Sequence, residues 1–76
     1  MNTSKIAAQE DVAVKYYADN AGRVFTGIFD KGSHHLCDPL RDHAIVFSGK
    51  VLPDDVREVS ISAYLTRVDY LRNQGV

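Results

Sequence analysis

Val12-Ala13-Val14-Lys15-Tyr16-Tyr17-Ala18-Asp19-Asn20-Ala21-Gly22-Arg23-Val24-Phe25 decides how the rest of the chain is read. Read with period two, Val12, Val14, Tyr16 and Ala18 share one face of a strand, and Ala13, Lys15, Tyr17 and Asp19 share the other. A helix using Ile6, Ala13 and Tyr17 is the rival. The neighbouring residues favour the strand. Asp19-Asn20-Ala21-Gly22 is turn chemistry, because Asn and Gly tolerate positive φ. Arg23 to Phe29 is then rich in β-branched and aromatic side chains, the composition of a second strand. The simplest outcome is a hairpin of residues 12–18 with 23–29.

Working outward, Asn2 to Asp11 is compatible with a short helix capped by Thr3 or Ser4. Gly27 interrupts a strand pattern and predicts a bulge or a close backbone approach. Asp30-Lys31-Gly32-Ser33 ends the second strand. His34 to His43 is polar, contains Pro39, and reads as a loop. Ala44 to Phe47 and Val51-Leu52 flank Ser48-Gly49-Lys50 as a strand or a tight second hairpin. Pro53-Asp54-Asp55 is a turn or a helix start, and the alternating valines of Val56 to Ser60 favour a strand over a helix. Ile61, Tyr64, Leu65, Val68 and Leu71 follow helical spacing, with Ser60 as cap and Gly75 at the C-terminal end. The expected fold is α+β over a single domain, residues 1–76: a small antiparallel sheet of three to four strands packed by a C-terminal helix, with a short N-terminal helix as an option.

The 76 residues carry nine Lys and Arg against ten Asp and Glu, with 45% hydrophobic residues. These are ordinary globular values. A domain of this size buries only about 60% of its unfolded surface, so a partner or a homodimer can help complete it. Near-neutral charge argues against nucleic-acid binding. No run of eighteen apolar residues provides a membrane span, and Met1 to Gln9 does not resemble a secretion signal. The single Cys37 cannot form an internal disulfide, which fits a reducing, cytoplasmic setting.

Four potential metal ligands, His34, His35, Cys37 and His43, crowd into ten residues. Zinc prefers such ligands, but the spacing matches no familiar zinc motif, and neighbouring histidines in an extended segment point apart. A polar loop with Cys37 packed inward is the preferred reading. Cys37 with His43 and Asp42 or Asp38 names the parts of a nucleophilic site without supplying its cleft or oxyanion donors. Asp54, Asp55 and Glu58 fit turn formation or helix-dipole complementation better than cation binding, since no calcium loop surrounds them. No enzyme activity, catalytic residue, metal or cofactor is therefore expected. The aromatics point elsewhere. Tyr16 and Tyr17 go to opposite faces of a strand, so one of them is expected at the surface. Tyr70 should lie opposite the apolar helix face, beside Ala63, Thr66 and Arg67, with Arg72 at the edge of that face. Tyr and Arg are enriched in interface hot spots, which makes Tyr70, Arg67, Tyr17 and Arg72 the candidate partner-binding residues.

Tyr16 to Phe25, with its paired aromatics, polar glycine turn and aromatic strand, resembles the opening of short tail-fibre assembly proteins of tailed phages. Pro53-Asp54-Asp55-Val56-Arg57-Glu58-Val59-Ser60, followed by the helix from Ile61 to Gly75, is similar to their next landmark. The stretch from Asp30 to Leu52 is longer than in that pattern. The resemblance implies a phage or prophage origin and a role in binding other proteins, either as a tail-fibre assembly chaperone or, by analogy with small anti-CRISPR proteins, as a stoichiometric inhibitor of a host defence complex. The expected function is thus a non-enzymatic protein-binding module, an inhibitor or adaptor, with a small zinc-binding domain as the alternative from a different class.

Overall fold

The computed structural model describes residues 14–74. The expected helix over Asn2 to Asp11, the strand residues Val12 and Ala13, and the helix-ending Gly75 lie outside them. Among the described residues five strands, β1 (Lys15–Ala18), β2 (Val24–Asp30), β3 (Ser33–Asp38), β4 (Ala44–Gly49) and β5 (Arg57–Val59), precede one helix, α1 (Ile61–Gln74). The strands form a single sheet in the order β4-β3-β2-β1-β5, and every pairing is antiparallel. The α+β architecture is as expected, with one strand more than the sequence indicates.

The hairpin of β1 and β2 is present, with Lys15 opposite Gly27 and Ala18 opposite Val24. The additional strand is β3, which replaces the loop expected from His34 onward. Its entry is a two-residue turn in which both Lys31 (φ 53) and Gly32 (φ 80) are left-handed. Positive φ at both central positions matches the right-handed twist of the flanking strands. β3 then pairs on both sides, with Leu36 opposite Gly27 and also opposite Phe47. Pro39–Arg41 forms a 3-10 turn between β3 and β4, capped by the Asp38 side chain. The second hairpin considered around Ser48-Gly49-Lys50 is not formed, since β4 runs through to Gly49 and Val51-Leu52 lies in the loop beyond it. Pro53-Asp54-Asp55 is a turn closed by the Val56 amide donating to the Pro53 carbonyl.

Each face of the sheet carries its own small core. On one face Tyr17, Phe25 and Leu36 pack together, and Phe47, Leu52 and Val56 close over them from β4 and the loop after it. On the other, Val24 meets Tyr64 and Val68 of α1, flanked by Tyr16, Ala18, Val59 and Leu71. The Ser60 hydroxyl accepts from the Ala63 amide and starts the helix, as its position indicates. Only the middle of the predicted apolar stripe is covered. Tyr64 and Val68 are buried, whereas Ile61 and Leu65 stay about half exposed.

Gly27 is a site of close approach, and the bulge lies instead between β3 and β4, where Leu36 faces Phe47 and Cys37 faces Ile45. A Cβ on Gly27 would sit 2.5 Å from Cε2 of Tyr17 and 3.0 Å from Cδ2 of Leu36. Both neighbours are buried and cannot swing aside. Gly27→Ala gains about 0.4–1 kcal/mol through reduced unfolded-state entropy, but overpacking costs about 1–3 kcal/mol. The expected result is a lower urea midpoint. A midpoint equal to wild type would show that the Tyr17 ring can move off the β2 backbone.

Candidate protein-binding surface

The turn between β1 and β2 is organised by one carboxylate. Asp19 is 3% exposed. Its Oδ1 accepts from the amides of Ala21 (3.0 Å) and Arg23 (2.9 Å), and its Oδ2 accepts from Nε of Arg23 at 2.8 Å. The Asp19 amide donates to the Arg23 carbonyl, and the Gly22 amide donates to the Asp19 carbonyl. Burial pushes the Asp19 carboxyl up, but the Arg23 amide, the Arg23 guanidinium and the Ala21 amide outweigh it and hold the group below its ordinary range. Gly22 is left-handed at φ 87, a conformation natural to glycine.

That turn also receives side chains from distant parts of the chain. Arg67, midway along α1, donates from Nε to the Gly22 carbonyl at 2.8 Å. A Cβ on Gly22 would collide with the Arg67 guanidinium, so glycine is what lets the side chain lie against the turn. The same guanidinium sits over the ring of Tyr70, 4.7 Å from its centroid. Tyr70 is 49% exposed. From β5, Arg57 reaches Oδ1 of Asn20 at 3.5 Å. Between the turn, β5 and α1 lies an open cleft of about 450 Å³, lined by the polar Asp19, Asn20, Arg57 and Arg67 and by the apolar Ala18, Val24, Val59 and Ala63.

Of the four residues expected to bind a partner, the structure brings Arg67 and Tyr70 together. Tyr17 is not at the surface. It is 6% exposed and belongs to the core on the far face of the sheet, because the loop carrying Leu52 and Val56 covers the side of β1 expected to be open. Its strand neighbour Tyr16 is half-buried against Tyr64, with ring centroids 4.7 Å apart. Arg72 is exposed, but five residues beyond Arg67 it lies about 140° around the helix, away from Tyr70. There it counters the shift of Tyr64, whose hydroxyl is pushed up by burial and by Tyr16.

The histidine and cysteine cluster is pulled apart by β3. His34 stacks on Phe29, 4.8 Å between ring centroids, on one face of the sheet. His35 points to the other face, where its Nδ1 is hydrogen-bonded to Oγ of Ser48 at 2.8 Å. Cys37 shares that face with His35, opposite Thr26, and His43 sits in the left-handed turn after Arg41. No group of three or more His, Cys, Asp or Glu side chains converges on a metal-sized site among the described residues. No helix among them is long and apolar enough to cross a membrane. Arg57 and Asn20 carry no signal in the sequence that would single them out. The turn itself is legible there, but its contacts with Arg57 and Arg67 span 37 and 45 residues. Compared with family profiles, curated sequences and solved structures, the chain matches none.

Proposed function

We propose that this chain is a non-enzymatic protein-binding module that occupies one surface of a protein partner, as a stoichiometric inhibitor of a host machine or as an adaptor. The observation that carries the reading is the locked Arg67–Tyr70 pair, in which an exposed ring lies under a guanidinium fixed to the Gly22 carbonyl. Side chains ordered before contact lose less entropy on binding, and Tyr and Arg dominate interface hot spots.

A photo-crosslinking residue placed at Thr66, one helical turn before Tyr70, should trap one partner, and the purified partner should bind the chain one-to-one. Tyr70→Ala and Arg67→Ala are each expected to weaken that complex by about 30-fold, the effect of a hot spot worth about 2 kcal/mol. The Tyr70→Ala thermal midpoint should stay at the wild-type value, since that ring is on the surface. Undiminished affinity in Tyr70→Ala would remove this surface from consideration.

A further inference from the structure

The turn at Asp19–Gly22 is met by three guanidinium groups. Arg23 is paired with Asp19, Arg57 touches Asn20, and Arg67 touches Gly22. The Asp19 carboxylate is already occupied by two amides and Arg23 Nε. Neither Arg57 nor Arg67 has a carboxylate within salt-bridge distance among the described residues, where the ion pairs are Lys15 with Glu58 and Arg23 with Asp19. Two guanidinium groups without a carboxylate partner of their own therefore line one cleft, where the carboxylate present, Asp19, is already paired with Arg23.

Arg67 is also aimed. Its Nε is committed to the Gly22 carbonyl and its Cζ lies over the Tyr70 ring, while its terminal nitrogens have no hydrogen-bond partner among the described residues. A guanidinium fixed in this way presents a pre-formed fork to a planar oxyanion. Apolar side chains, those of Ala18, Val24, Val59 and Ala63, line the same cleft. That combination suits a carboxylate carried on a short methylene stem. It suits a nucleic-acid backbone poorly, because tracking successive phosphates requires a longer row of cations.

We infer that this cleft recognises an acidic protein segment, with an Asp or Glu carboxylate of the partner held between Arg57 and Arg67. The inference rests on the protein-binding reading above and assigns the partner's chemistry at the edge of the same surface. Arg57 separates the two, since it lines the cleft and Tyr70 does not.

The test is an amide chemical-shift titration of the intact chain with a six-residue Glu-rich peptide and its Gln counterpart. The Glu peptide should move the amides of Asn20, Gly22, Arg57 and Ala63 and saturate. The Gln peptide should bind about tenfold more weakly, the loss of one charge-assisted contact, and added salt should weaken the Glu peptide further. Arg57→Gln and Arg67→Lys should each weaken the Glu peptide, with wild-type shift dispersion confirming that both remain folded. Arg67→Lys is informative because it keeps the charge and loses the fork. Equal binding of the two peptides, shifts confined to other parts of the sheet, or inorganic phosphate displacing the Glu peptide at lower concentration would each overturn the inference. A partner complex lost in Tyr70→Ala but indifferent to Arg57→Gln would overturn it as well, while leaving the protein-binding reading intact.

Discussion

Leu36→Ala is expected to remove about 5 kcal/mol of stability, a large share of what a domain of this size has. Leu36 is 2% exposed, and its neighbours across the sheet are Gly27 on β2 and Phe47 on β4. Large-to-small changes at buried leucines cost about 2–5 kcal/mol, rising with the cavity that remains. Here the cavity cannot close from the β2 side, because Gly27 has no side chain to lean in and Tyr17 already covers it. The cost should fall near the upper end of that range. A chain of this length has about 4–11 kcal/mol of total stability. Leu36 is one of three buried residues in the core that lacks the helix, so its loss loosens the cluster of Tyr17 and Phe25 against which Phe47, Leu52 and Val56 pack. Urea denaturation followed by circular dichroism measures the effect. A loss under about 1 kcal/mol would mean that the loop carrying Leu52 and Val56 collapses freely into the space.

Asp19→Ala is expected to cost about 2–3 kcal/mol, since it removes a carboxylate accepting three hydrogen bonds at the β1–β2 turn. Its pH dependence gives an independent check. The folded-state pKa of Asp19 lies below the ordinary value of 3.8. A depressed carboxyl pKa means that the unfolded chain binds more protons as pH falls. The stabilisation from Asp19 is therefore complete above the unfolded value. It is lost as pH drops from there through the still lower folded value. Stability measured from neutral pH into acid should hold level and then decline below about pH 4, and Asp19→Asn should flatten part of that decline. If the wild-type and Asp19→Asn profiles are parallel throughout, the turn is not held by the charge of this carboxylate.

The elements legible in the sequence are those whose causes are local. Asp19-Asn20-Ala21-Gly22 announces its turn, and the spacing of Tyr64 and Val68 together with the Ser60 cap announces the helix. β3 is hidden there because Ser33-His34-His35-Leu36-Cys37-Asp38 is polar and carries one large aliphatic residue. It is a strand because β2 and β4 supply ladder partners on both sides. Tyr17 is misplaced by sequence alone because alternation shows that two residues face opposite ways but not that both sides are covered. The Arg67–Tyr70 pair is legible from helical spacing. The cleft is not, because Asn20 and Arg57 meet only once β5 lies beside β1.

The pairing of β5 with β1 also governs how the chain assembles. From β1 to β4 each strand pairs with its neighbour in sequence, so the meander closes through short loops. β5 alone returns across the whole meander to find β1, placing Glu58 opposite Tyr17. Closing so long a loop carries an entropic cost that short hairpin turns avoid, and contacts of this kind form slowly. Residues 57–74 are also the last described residues to leave the ribosome. Both cleft arginines, 57 and 67, belong to that final segment. The Asp19 turn can thus form early, but it acquires its cationic rim only when the sheet receives its fifth strand and its helix. Under the proposed recognition of an acidic segment, a partner would meet the full cationic rim on finished molecules and not on nascent ones.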